Sequence, residues 1–114
     1  MPTTAVKTVS IASGASLSGA VDLKAHRRVA IVMPASWTAA NLTFQGSDTE
    51  AGTYSDLYDD AGTEISVTAA ASRTIVGSTL DRVVPLRFLK VRSGTTATPV
   101  NQAAARTVLL VMKD

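Results

Sequence analysis

Asn41-Leu42-Thr43-Phe44-Gln45-Gly46-Ser47, then Asp48-Thr49-Glu50-Ala51-Gly52-Thr53, then Tyr54-Ser55-Asp56-Leu57-Tyr58 is the stretch that decides the fold class. Leu42 and Phe44 alternate with Thr43 and Gln45, which is the period of two of a strand with one face turned inward. The polar loop that follows contains a glycine and joins this strand to a return strand at Tyr54–Tyr58, so the unit reads as a β-hairpin. Asp59-Asp60-Ala61-Gly62 is turn chemistry, and Thr63–Thr68 alternates again with Ile65 and Val67 inward.

The same pattern continues on both sides. Upstream, Arg28–Met33 is apolar on both faces, Val29, Ile31 and Met33 against Ala30 and Val32, as expected of a central strand covered on both sides. Pro34 lacks a backbone donor and ends it. Thr8–Ala12 and Leu17–Leu23 flank the turn Ser13-Gly14-Ala15-Ser16, with Leu17, Val21 and Leu23 on one face. Lys24-Ala25-His26-Arg27 is a polar connector. Downstream, Ala69–Ser72 is a bend and Arg73–Gly77 a short strand. Ser78–Pro85 is predicted to be non-strand, a single helical turn started by Ser78. Leu86–Ser93 is a strand, Gly94–Ala103 a polar loop, and Ala104–Met112 a last strand apolar on both faces. Short strands at this spacing predict an all-β chain, an antiparallel β-sandwich of jelly-roll type with about eight strands. Its bounds are a single domain over 8–114, preceded by an N-terminal arm over 1–7.

Composition narrows the chemistry. The 114 residues include no cysteine and one histidine, His26. Disulfide scaffolds, thiolate zinc sites, cysteine nucleophiles and multi-histidine metal sites are thereby excluded. Charged residues are 18%, below the roughly 25% of ordinary soluble domains, and aromatics are 4%. Alanine fills 18 positions and threonine 15, so the core must rest on Val, Leu and Ile. No stretch approaches the ~20 apolar residues of a membrane-spanning helix, and the N-terminus lacks the pattern of a secretory signal. The chain is therefore expected to be made in a cytoplasm, or assembled into something there. The net charge of +2 is spread along the chain and does not point to nucleic acid. No catalytic residue, cofactor or metal ligand is expected.

The candidates that remain are for contact with a partner. Phe88, Lys90 and Arg92 share one face of a strand, with Arg87 on the other. An aromatic interleaved with cations suits an acidic protein surface, or a solvated face whose basic stems cover the phenyl ring. Trp37 lies in a loop after Pro34 and either caps the open end of the sandwich or serves as a platform for a partner or a sugar. Tyr54 and Tyr58 share a face with Asp56. Asp56, Asp59, Asp60 and Glu64 are acidic, but turn chemistry accounts for the segment without calcium. The runs Ala69-Ala70-Ala71 and Ala103-Ala104-Ala105, with the doubly apolar last strand, suit close packing against another subunit, and a homo-oligomer is expected.

Two resemblances bear on these residues. Leu42-Thr43-Phe44-Gln45-Gly46-Ser47-Asp48, Gly52-Thr53-Tyr54-Ser55-Asp56-Leu57-Tyr58-Asp59 and Arg87-Phe88-Leu89-Lys90-Val91-Arg92 resemble, in that order, the strands of discoidin-type, galactose-binding-like jelly rolls. That resemblance implies the fold, not the sugar activity. The whole chain resembles small virion proteins of tailed bacteriophages and prophages. The stretches that carry it are Met33–Gln45, Asp56–Glu64 and Leu89–Thr95. It implies a structural component of the virion, assembled in the bacterial host cytoplasm. A capsid decoration (cement) protein bound to the major capsid protein comes first. A head-tail or tail accessory comes next, and a carbohydrate-binding module built on Trp37, Tyr54 and Tyr58 is the rival from another class. Neither nucleic acid nor membrane is expected as a partner.

Overall fold

A computed structural model describes residues 4–24, 28–76 and 86–113. Nine strands follow in chain order: β1 (Thr4–Ile11), β2 (Val21–Asp22), β3 (Arg28–Val32), β4 (Leu42–Ser47), β5 (Ser55–Asp56), β6 (Ser66–Val67), β7 (Thr74–Ile75), β8 (Phe88–Ser93) and β9 (Arg106–Lys113). No helix occurs among the described residues. The first sheet has the order β1-β9-β3-β7, and the second the order β2-β8-β4-β5, with β6 also paired to β4. Every strand pair is antiparallel. The chain changes sheet at each step except β4 to β5 to β6, which is the wrapping of a jelly roll.

The alternation expected from the sequence places the core between the sheets. From the first sheet come Val9, Ile11, Val29, Ile31, Val108, Leu110 and Met112, and from the second Val21, Leu42, Phe44, Val67, Leu89 and Val91, all buried. Pairing keeps these rows level: Ile31 stands opposite Leu110, and Phe44 opposite Val91. Gly46 lies on the inward face of β4, where a Cβ would strike the side chains of Leu57 and Leu86. The missing side chain lets those two leucines close that end of the core.

The strands predicted over Tyr54–Tyr58, Thr63–Thr68 and Arg73–Gly77 contract to β5, β6 and β7, and two further bounds differ at the start of the chain. β1 begins at Thr4 and pairs with β9 from Thr4 opposite Lys113 onward, so residues 4–7 of the expected arm are strand. Ala5 and Lys7 occupy the inward parity there, and neither gives the apolar signal that alternation needs. The strand predicted over Leu17–Leu23 contracts to Val21–Asp22, with Leu17 making an isolated bridge to Arg92. The intervening Ser18 hydroxyl accepts from Val91 N at 2.9 Å, which interrupts the regular ladder. The helical turn predicted over Ser78–Pro85 and the connector residues 25–27, including His26, lie outside the described residues.

Candidate functional site

The outer face of the second sheet gathers most of the predicted contact residues. Thr43 stands opposite Arg92, Gln45 opposite Lys90 and Ser47 opposite Phe88, so Phe88, Lys90 and Arg92 do share one face. Phe88 and Arg92 are nevertheless only 7% exposed. Side chains from the 57–65 hairpin and the loop after β8 close over Arg92. Its guanidinium donates to the Asp56 carboxylate, to Thr96 Oγ1 at 2.7 Å and to Glu64 Oε2 at 3.5 Å. Glu64 in turn accepts from Thr96 N, and Asp56 accepts from Gln45 Nε2 at 3.0 Å. The Arg92 guanidinium, and then the Gln45 amide, hold the Asp56 carboxyl below its ordinary pKa. The charge of Arg92 is thus matched inside the fold. A buried cation without carboxylates beside it would be costly.

Beyond Arg92 the same face carries Lys90 and Tyr54, both half-buried. The Lys90 ammonium sits 4.5 Å from the centre of the Tyr54 ring, and the Tyr54 hydroxyl donates to the Glu50 carbonyl at 2.9 Å. Arg87 is exposed and forks onto Asp22 through two bonds of 3.1 Å, with its guanidinium 5.2 Å from the Phe88 ring centre. That fork lowers the pKa of Asp22.

Tyr58 lies on the hairpin between β5 and β6, bridged to Glu64, and is 52% exposed. With Asp59, Asp60 and Ile65 it lines a notch of about 390 Å³. The turn below is built by Asp59 Oδ1, which accepts from the amides of Ala61 and Thr63 at 2.9 Å each, and by Gly62 at φ +85°. Asp59 thus builds the turn, while Asp56 and Glu64 are engaged by Arg92.

Trp37 is at the other end of the sandwich. Its indole N–H donates to the Ala40 carbonyl at 3.0 Å and its ring packs on the core. β4 runs from the Trp37 end at Leu42 to the Tyr54 end beyond Ser47, a span of about 17 Å. That span separates Trp37 from Tyr54, while the β4–β5 register carried on brings Tyr58 alongside Thr43. Gln102, which the sequence did not single out, ties the Trp37 end together. It is fully buried, its Oε1 accepts from Thr38 N at 2.8 Å, and its Nε2 donates to Thr38 O at 3.0 Å and Ser93 Oγ at 2.7 Å. In a loop of Ala, Thr and Asn nothing marks it as different from a solvated side chain.

The outer face of the first sheet is the other open surface. Val6 pairs with Val111, which pairs with Ala30, and the β3–β7 register carried one step on brings Val76 alongside. The next row is Thr8, Leu109, Val32 and Thr74. Val6 is 57% and Val76 76% exposed, while Ala30, Val32, Leu109 and Val111 are half-buried. The doubly apolar patterns of Arg28–Met33 and Ala104–Met112 come from here. One face of each strand fills the core, and the other forms this apolar surface in mid-sheet.

No family model and no curated protein sequence matches the chain. Among solved structures it is similar to the SPBc2 prophage-derived protein YomS, with a TM-score of 0.61 and 13% identity over 100% of this chain and 96% of that one. The likeness is one of fold, and it runs the length of both chains.

Proposed function

We propose that the chain is a non-enzymatic structural protein of a bacteriophage particle, and within that class a decoration protein of the head shell. The observation that carries this reading is the end-to-end fold correspondence with a prophage-derived protein. The layout of the molecule is in keeping with it. The most elaborate polar cluster, around Arg92, is closed on itself, and the open surfaces are a sheet face and a hairpin edge suited to flat protein contact. A decoration protein works by adding interface area between neighbouring shell subunits, and symmetry multiplies each contact. Its partner is the major capsid protein, and it acts in the virion after assembly in the host cytoplasm.

The test is quantitative mass spectrometry of particles purified from the bacterium that carries the gene. On the order of hundreds of copies per particle is the expected result for a shell decoration, whereas about six or twelve would place the chain in a tail or head-tail ring. Absence from the particle would overturn the proposal.

A further inference from the structure

The sheet edges of this molecule are unequal. The first sheet ends in β1 and β7, and the second in β2 on one side and β5 and β6 on the other. β2, β5, β6 and β7 are two residues each, and so short an edge offers little for another chain to pair with. β1 runs for eight residues, Thr4–Ile11, in unbroken register with β9 and without proline.

The hydrogen-bond ladder shows which backbone groups of β1 are unused. Met33 N donates to Arg73 O at 2.7 Å, one step beyond the Val32–Thr74 pair, so the odd-numbered residues of β3 bond toward β7. Successive residues of an antiparallel ladder bond to opposite sides. Ala30 and Val32 therefore bond to Val111 and Leu109 of β9, which leaves Met112, Leu110 and Val108 bonding to Ala5, Lys7 and Val9 of β1. The N–H and C=O groups of Thr4, Val6, Thr8 and Ser10 point out of the sheet, and among the described residues nothing bonds to them.

We propose that this edge pairs with the β1 of a second copy, the two first sheets joining antiparallel into one. A two-fold axis maps the row of open groups onto itself, so one surface serves both copies. β1 is also already extended with its bonding groups aligned, so pairing with another β1 does not require ordering a flexible segment. Side chains select the register. A two-fold at Lys7 would set two ammonium groups opposite each other, which is destabilising. A two-fold at Thr8 would leave Val6 facing Ser10. A two-fold at Val6 sets Lys7 opposite Ala5 and brings together the two Val6 side chains, each 57% exposed in the single copy. The contact needs neither a shell nor a tail, and its failure would leave the particle assignment untouched.

Sedimentation velocity and amide hydrogen exchange on the purified chain test it. The interface is small, so a monomer–dimer equilibrium is expected to become visible by about 1 mM protein. The Val6 and Thr8 amides should exchange at least about tenfold more slowly in the dimer, while those of Lys7 and Val9 are protected at every concentration. Thr8→Pro removes an outward N–H and no bond of the β1–β9 ladder, so it should fold and stay monomeric. Should it not fold, the exchange pattern of the wild type decides alone. The chain has no cysteine, so Val6→Cys supplies a single thiol. Across the two-fold its Cα atoms would lie about 5.5 Å apart, within disulfide range, and it should oxidise to a covalent dimer at least about tenfold faster than Ser10→Cys. A chain that stays monomeric at that concentration, a folded Thr8→Pro variant that still dimerises, Val6 and Thr8 amides indifferent to concentration, or equal oxidation of the two cysteine variants would each overturn the proposal.

Discussion

Arg92 and Asp56 form an ion pair whose cation is almost wholly inside the fold. The Arg92 side chain is 8% exposed and that of Asp56 27%. Asp56→Asn keeps the shape and removes the charge, leaving Arg92 with Glu64 as its remaining anion. The expected loss is about 2–3 kcal/mol, somewhat below the usual range for breaking a buried pair because Glu64 stays. Urea titration checks it, as a lower midpoint with an unchanged slope. The pH dependence has a definite sign. Asp56 has a folded pKa below its unfolded value of about 3.9, so its contribution is fully present above that value and is lost as pH falls through the folded pKa. Between about pH 5 and pH 2 the wild type should therefore lose more stability than Asp56→Asn does. Gln102 is the neutral counterpart at the Trp37 end. Gln102→Leu has a similar volume but strands the amide and carbonyl of Thr38, at an expected cost of about 2–4 kcal/mol. Neither residue could be recognised as structural in the sequence. Alternation told which face of β8 Arg92 occupies, but not that Glu64 and Thr96, 28 positions before and four after, close over it. Such contacts depend on how loops pack, and no period records that.

The strands themselves were far more legible. Alternation identified β4 and β8 through Leu42, Phe44, Leu89 and Val91, because one row of each is fully inward and the other is polar but for Phe88. It failed at both ends of the β1–β2 region. At Ala5 and Lys7 an edge position tolerates weak or charged side chains, and between Leu17 and Val21 the Ser18 hydroxyl takes the place of a backbone partner. The loop between β8 and β9 follows turn chemistry that its sequence does announce. Gly94 has φ +90°, and a Cβ there would lie 2.5 Å from Thr98 O and 2.7 Å from Val100 N, both backbone atoms. The Gly94 carbonyl also accepts from the buried Thr43 hydroxyl at 2.7 Å. Gly94→Ala meets a disfavoured dihedral and a backbone clash together, so a loss of about 2–3 kcal/mol is expected. Gly14 also has positive φ, +78°, but nothing lies within 4 Å of its Cβ position. Gly14→Ala should cost visibly less, and comparing the two melting curves separates the clash from the dihedral.

At the scale of the whole molecule, the jelly-roll wrapping makes the last strand a condition for the first sheet. β9 lies between β1 and β3, pairing with all eight residues of β1 and with Arg28–Val32 of β3. Val108, Leu110 and Met112 are completely buried between the sheets. Without β9, β1 has no strand partner among the described residues, and the inward side chains of both neighbours face a gap. Ribosomal synthesis delivers β9 after the other eight strands, so the first sheet forms only once β9 has been made. Pairing β1 with a strand as distant in sequence as β9 also carries a loop-closure cost, which places folding in the millisecond-to-second range typical of sandwiches. A chain ending at Ala105 should therefore not reach the native state. Trp37, whose ring packs on the core and whose N–H is held by Ala40, reports it directly. Full-length protein diluted from urea should recover native Trp37 fluorescence in a single phase on that timescale, and the truncated chain should stay at the unfolded signal. Native fluorescence from the truncated chain would mean that β1 and β3 can close the first sheet on each other, and the order β1-β9-β3 would then not be what holds this sandwich together.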